Sequence, residues 1–311
     1  MKIVLHIGAH RTGTTTFQNY LTRHRFALRA QGVECWGPWI TRKGLFAGIP
    51  KATPAARSSA MGRARGRLLL RQDKVRREQG ADTLIVSEEN IMGAMSRNLR
   101  HAHLYDDVGE RVARFIAAFD GRVGKVVVNI RALDHYWASA AAHCVARGHS
   151  VPSRATLSTI AARHRSWRDV ISDIACAAPE ADIQVLPFER FAGRPDAQLG
   201  VMLGVPVPQH RAAEHMNKRP SLEDLRTAVE ERAERTDMLR GPGDRWSPFQ
   251  RAEISALREA YADDMFWLTA GASGLATLTE DLDRTEAEWP TGPLTRGQHD
   301  DITERRLAQP R

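Results

Sequence analysis

Cysteine is scarce in this chain, with three in 311 residues at Cys35, Cys144 and Cys176. They are odd in number, widely spaced and without a C-x-x-C pair. That excludes a disulfide scaffold and a cysteine-based zinc site, and leaves packing as their expected role. Long apolar runs are missing as well. Nothing approaches the roughly 18–20 residues of a membrane span, and Met1–Leu5 is too short an apolar start for a signal peptide. The expectation is a cytoplasmic protein. No internal repeat or low-complexity linker interrupts the chain. Lysine is rare too, at six against 39 arginines.

What is present is a globular composition, 42% hydrophobic and 26% charged, which excludes wholesale disorder. The formal charge of +8 is localised. Residues 41–80 hold eleven Lys or Arg and two acids, +9 in one stretch, and the remainder is close to neutral. Such a stretch could face nucleic acid, phosphates or an anionic acceptor. Phe46 is its only aromatic residue, so stacking platforms are scarce and nucleic acid is not the expected partner. A solvated, Arg-rich helix face is the simpler reading.

Hydrophobic periodicity alternates between strand and helix. Ile3–Ile7 reads as a buried strand, 8–13 as a loop and 14–31 as a helix stopped at Gln31-Gly32. Val33–Trp36 reads as a second strand, Met61–Glu78 as a helix and Leu84–Ser87 as a strand. A helix is predicted at 107–119. Lys125–Arg131 (KVVVNIR) is the strongest strand signal, with a helix at Trp167–Ala177 and a strand at Ile183–Leu186. Helical patterns follow at 221–238 and 248–268. The predicted fold is a three-layer α/β/α domain around a mostly parallel sheet, with an α-rich C-terminal portion. It should span 1–270, with a basic insertion at 41–80 and a polar tail at 271–311.

The chemistry concentrates in Gly8-Ala9-His10-Arg11-Thr12-Gly13-Thr14-Thr15, which has G-x-x-x-x-G spacing between strand and helix. Glycines let the backbone curl so that successive N–H groups face one anion, and the helix start adds partial positive charge. A nucleoside triphosphatase loop carries Lys directly after the second glycine. Here that position is Thr14, and the cation stands between the glycines at Arg11. Arg131 is a second candidate, because a parallel strand ends there and open α/β sheets bind ligands at such ends. Glu88 and Glu89 follow the strand Leu84–Ser87 at another carboxyl end. Extended, the two would point to different sides.

His6–Gln18 (HIGAHRTGTTTFQ) resembles the 5′-phosphosulfate-binding loop of bacterial sulfotransferases, enzymes that use 3′-phosphoadenosine 5′-phosphosulfate (PAPS). The family usually has Lys where this chain has Arg11. The resemblance implies a P-loop-like fold and a PAPS donor bound by His10, Arg11, Thr12, Gly13, Thr14 and Thr15. Arg11 would stabilise the leaving oxygen, electrostatically rather than as a proton donor. Arg131 and Ser139, eight residues apart, match the family's 3′-phosphate pair. Ile183–Phe191 (IQVLPFERF), Leu199–Val205 and Asn217–Ser221 resemble later family segments, Lys218 and Arg219 included. The likeness covers residues 1–40 and 82–270.

By the same resemblance, Glu89 in its S-x-E context is the expected catalytic base, with Glu88, His10, His135 and His143 as rivals. No ligand cluster suggests a metal, and none is expected. The acceptor would be a hydroxyl or amine of a small molecule, a glycan or a lipid. Two other readings stay open, an ATP-dependent phosphotransferase and a non-catalytic nucleotide- or polyanion-binding protein.

Overall fold

Strand geometry turns successive side chains to opposite faces, and the two cores follow that alternation. Ile3, Leu5, Leu84, Val86, Val126 and Val128 face one core, while Val4, Ile85 and Val127 face the other. Our computed structural model of the protein describes residues 1–50, 57–210, 219–234, 236–241 and 243–279. The described residues belong to one compact unit.

The sheet has six strands: β1 (Lys2–His6), β2 (Val33–Trp36), β3 (Thr83–Ser87), β4 (Val123–Ile130), β5 (Asp182–Pro187) and β6 (Thr277–Leu278). Their order is β2-β3-β1-β4-β5-β6, and every pairing is parallel. On the face of Val4, Ile85 and Val127 lie α1 (Thr14–Arg23) and α2 (Arg25–Ala30), with Phe17, Tyr20, Leu21 and Leu28 buried there. The opposite face carries α3 (Arg57–Gln79), α4 (Val108–Ala118), α5 (Leu133–Ala146) and α6 (Trp167–Ala177). Also on that side are α7 (Leu222–Glu230) and α8 (Arg251–Thr269), the α-rich C-terminal portion. This is a three-layer α/β/α fold. Among the described residues no helix is long and apolar enough to cross a membrane.

Four local expectations need correction. The helix predicted at 14–31 is two, broken at His24. The pattern at 221–238 ends as a helix at Glu230, because no strongly apolar residue follows Val229 until Met238 to hold a further turn on the core. The expected tail begins too early: β6 adds to the sheet edge beyond residue 270, and two residues are too short to show a period. The rest of the tail, from residue 280, lies outside the described residues. Cys35 and Cys144 are buried as expected, but Cys176 is exposed.

The basic segment is largely one helix face. Ala64, Leu68, Gln72 and Val75 of α3 turn inward at helical spacing. Several of its arginines stay at the surface, with Arg65 paired to Asp120 (2.5 Å) and Arg71 lying 5.6 Å from the Trp36 ring centroid. Lys51 lies outside the described residues.

At their carboxyl ends the three central strands carry a buried polar row, Ser87, His6 and Asn129. His6 Nδ1 is 2.8 Å from Ser87 Oγ, and Nε2 is 2.8 Å from Asn129 Oδ1. Asn129 Nδ2 then donates to Gln198 Oε1 (3.1 Å). A carboxamide oxygen can only accept, so His6 carries its proton on Nε2, and Nδ1 accepts from the serine. Burial depresses the His6 pKa to about 4. The unfolded chain binds that proton near the ordinary value of about 6.5, so native stability falls as the pH drops from about 6.5 towards 4, by roughly 3 kcal/mol at most. Urea unfolding should therefore show a midpoint that declines steeply between pH 7 and 4.5. In His6→Gln, less stable at neutral pH, that decline should flatten; an equally steep profile would remove His6 as its cause.

Candidate functional site

The loop 8–13 leaves β1 between the ends of β3 and β4. The Ala9 N–H donates to the Asn129 carbonyl (3.0 Å), and Thr12 Oγ1 donates back to the Ala9 carbonyl (2.5 Å). A Cβ on Gly8 would sit 3.0 Å from Asn129 Oδ1 and 3.1 Å from Thr14 Cγ2, so this close approach needs glycine. Arg11 and Gly13 both take left-handed backbone, φ +67° and +83°. Arginine bears a steric cost there that glycine does not. Arg11 is held by its partners. Its Nε donates to Ser139 Oγ (3.0 Å), Nη1 lies 3.3 Å from His143 Nδ1, and its carbonyl accepts from Arg131 Nη1 (2.9 Å).

Arg11, Gly13, Arg131 and Ser139 line a cavity of about 650 Å³, within the usual range for a small-molecule site. Four guanidinium groups surround it: Arg11, Arg131, Arg219 and Arg245. Gly13–Thr16 at the start of α1, Ser139 and Phe188 complete much of the wall. Arg131 stacks over the Phe188 ring at 4.4 Å. Arg131 Nε and Arg219 Nε and Nη2 are buried with no hydrogen-bond partner among the described residues. Burial, then Arg131, lowers the Arg11 pKa to about 10. Burial, then Arg131, Arg245 and Arg11, lowers that of Arg219 to about 10. Orphaned buried donors and mutually repelling cations describe one need, an anion with several acceptor oxygens.

The expected donor-site residues divide. Arg11, Gly13, Thr14, Thr15, Arg131 and Ser139 meet at this cavity. Ser139 pairs with Arg11, however, and not with Arg131, so the two anticipated phosphate positions share one compartment. Thr12 is buried and bonded within the loop, outside the cavity lining. His10 turns the other way. Its N–H donates to Tyr105 Oη (3.0 Å), its Nδ1 lies 2.8 Å from the same hydroxyl, and Nε2 is 3.4 Å from Asn90 Oδ1. Burial lowers its pKa, so His10 is neutral. Lys218 and Asn217 lie outside the described residues.

The two carboxylates do not point apart as an extended pair would. Glu89 opens a 3₁₀ turn, Glu89–Ile91, and both acids converge on Arg42. Arg42 Nη2 lies 2.7 Å from Glu88 Oε1 and 2.7 Å from Glu89 Oε1. Glu88 is buried and also accepts from Thr41 Oγ1 (2.5 Å) and the Asn90 N–H (3.2 Å). Glu89 Oε2 accepts from Gln18 Nε2 (2.8 Å), which ties it to α1. Burial pushes the Glu89 pKa up, but Gln18, a backbone N–H and Arg42 outweigh it and hold the carboxyl below its ordinary value. His135 lines the arginine cavity, while His143, beside Arg11, is depressed to about 4 by burial and then by Arg11.

Sequence reasoning missed Arg245, Phe188 and the clamping role of Arg42. It also gave Asn129 no part, although an Asn inside KVVVNIR is a visible anomaly, a polar group where a buried strand needs none. Phe188 follows β5 directly, at a strand end where ligands collect. Arg245 carries no local pattern. No family model matches the chain, and neither a curated protein nor a solved structure matches it.

Because the arginines repel one another, Arg219→Gln should melt at or above the wild-type temperature in low salt. Inorganic pyrophosphate at about 100 times its Kd should raise the wild-type melting temperature by several degrees, and the variant's by less. A variant melting several degrees lower without added anion would mean that Arg219 has a structural partner.

Proposed function

We propose that the chain is a PAPS-dependent sulfotransferase, with the nucleotide's anionic groups in the arginine cavity. The observation that carries this reading is the set of buried, unpartnered guanidinium nitrogens of Arg131 and Arg219, on the same cavity as Arg11 and the start of α1. A nucleotide with phosphates at both the 5′ and 3′ positions supplies acceptor oxygens to both groups. Arg11 lies beside the helix start and would face the 5′-phosphosulfate. Arg131 and Arg219 would take the 3′-phosphate. An ATP reading is less favoured, because Thr14 stands where a Walker lysine would reach the terminal phosphates. Among the described residues no cluster of His, Cys, Asp or Glu could hold a metal ion.

In the proposed reaction the acceptor oxygen attacks sulfur in line. The bond from sulfur to the bridging phosphate oxygen breaks, and the acceptor proton passes to a base on the protein. The products are a sulfate monoester and adenosine 3′,5′-bisphosphate. Arg11 and the loop amides offset the charge gathering on the departing phosphate.

Glu89 is our first candidate for the base. Its ion pair with Arg42 makes it a weak acceptor in the present arrangement, so acceptor binding would have to exchange that partner. His10 is the second candidate, favoured by being already neutral.

Calorimetry with adenosine 3′,5′-bisphosphate against 5′-AMP and ATP tests the donor. The bisphosphate should bind at least roughly tenfold more tightly than 5′-AMP, worth about 1.4 kcal/mol, and Arg131→Ala should erase most of that preference. Absence of any preference for the 3′-phosphate would refute the assignment. With labelled PAPS and an acceptor pool, Glu89→Gln should lose roughly two orders of magnitude or more in rate, and Glu88→Gln should retain activity. Loss in His10→Ala with activity kept in Glu89→Gln would transfer the role to His10.

A further inference from the structure

A second cavity, of about 360 Å³, opens on the other side of the loop and is separate from the arginine cluster. Phe46, Ala47, Pro50, Ile91 and Phe115 make its apolar walls, with Arg42, Glu88 and Asn90 among its polar lining. Phe46 and Phe115 meet edge to face at 4.9 Å, and Phe46 packs the same way on Phe119 at 6.3 Å, so the aromatic wall is braced from behind.

The polar part of the lining has little left to offer a charged ligand. Glu88 already accepts from Thr41, Arg42 and the Asn90 N–H, and Arg42 is shared between two carboxylates. An anionic sugar would find no uncompensated cation there, and its hydroxyls would lose water against Phe46 and Phe115. A compact aromatic or alkyl group gains by the same contact. Asn90 joins this cavity to the loop: it lines the wall, and its Oδ1 lies 3.4 Å from Nε2 of His10, the neighbour of Arg11.

We infer that this cavity takes a compact, uncharged aryl or alkyl alcohol as the acceptor, with its apolar body on Phe46, Ile91 and Phe115 and its hydroxyl at the Asn90 end. The acceptor role rests on the sulfotransferase reading above. Occupation of the cavity by such a molecule does not. A glycan or acidic head group drawn by the basic segment is thereby disfavoured.

The probe is 2-naphthol, titrated into the full chain by fluorescence with adenosine 3′,5′-bisphosphate measured separately. Wild type should bind 2-naphthol saturably. Ala47→Trp fills the cavity from an exposed position, and should weaken 2-naphthol at least tenfold while leaving the melting temperature and bisphosphate binding unchanged. Ala47→Ser should behave as wild type. Binding of the bisphosphate without any binding of 2-naphthol would overturn this inference and leave the donor reading standing. Equal 2-naphthol affinity in Ala47→Trp would also overturn it, by placing the probe elsewhere. Binding of 2-naphthol without the bisphosphate would keep the apolar site but end its role as an acceptor site. With both bound, labelled PAPS should yield naphthyl sulfate; transfer to a sulfated disaccharide but not to 2-naphthol would overturn the acceptor class.

Discussion

One buried row of hydrogen bonds, from Ser87 through His6 and Asn129 to Gln198, underlies the strand ends from which the loop 8–13 and both cavities are built. It crosses the carboxyl ends of β3, β1 and β4 on the α1 side of the sheet, where side chains one step back along the strands are apolar. Each polar group satisfies the next, so none is left orphaned in the core, and the strand ends are held level. Gly8 closes onto Asn129 directly above, and Phe17 of α1 sets its ring edge to face on His6 at 4.5 Å. The loop's first residue and the helix that follows it are therefore positioned by the same atoms. A protonated His6 would bring a buried charge into the row and reverse its bond to the serine, so burial favours the neutral imidazole.

Upon this rigid floor the structure assembles charge in two opposite ways. Four arginines line the larger cavity, Arg131 and Arg219 with unpartnered nitrogens among the described residues, and burial together with mutual repulsion lowers the pKa values of Arg11, Arg131 and Arg219. Such a cluster weakens the fold unless an anion completes it. Glu189 and Asp134 offset part of the Arg131 charge, and Glu189 also accepts from the Ala132 N–H and from Tyr261. On the far side of the loop the excess has the other sign, with one guanidinium shared by two carboxylates. The +8 of the whole chain predicts neither arrangement, because most of that surplus lies between residues 41 and 80, much of it on the outward face of α3.

Much of the layout was legible from pattern alone. Continuous β-branched runs such as KVVVNIR and the glycine spacing of residues 8–13 mark the strands and the loop, because their physics is local. Arg11 and Arg131 were locatable for the same reason, just beyond the ends of strands, while Ser139 was singled out by the family resemblance alone. What stayed hidden depends on chain return. Arg245 reaches the cavity from a segment with no distinguishing periodicity, and Phe188, though just past a predicted strand, has no polar group to mark it. The pairing of Ser139 with Arg11, 128 residues away, is a consequence of how α5 folds back. Glu88 and Glu89 were visible as a pair at the end of β3, but a 3₁₀ turn brings both to Arg42, and nothing in two adjacent acids announces that turn.

The left-handed backbone at Arg11 explains how one short loop serves two compartments. Consecutive residues in extended chain diverge only by alternation, and both would remain near the same edge. Inverting φ at Arg11 sends its guanidinium into the arginine cavity while His10 stays against Tyr105 and Asn90. In the proposed reaction that turn would set the donor phosphates beside Arg11 and the acceptor hydroxyl on the His10 side, from consecutive residues of one loop. The Lys-to-Arg difference from the sulfotransferase pattern then has a geometric reading. A lysine offers one point charge, whereas the planar fork of Arg11 can hold Ser139 through Nε, approach His143 through Nη1 and still present charge to the cavity. The strain of the left-handed residue is thus borne where a rigid, multiply bonded side chain fixes the direction of the charge.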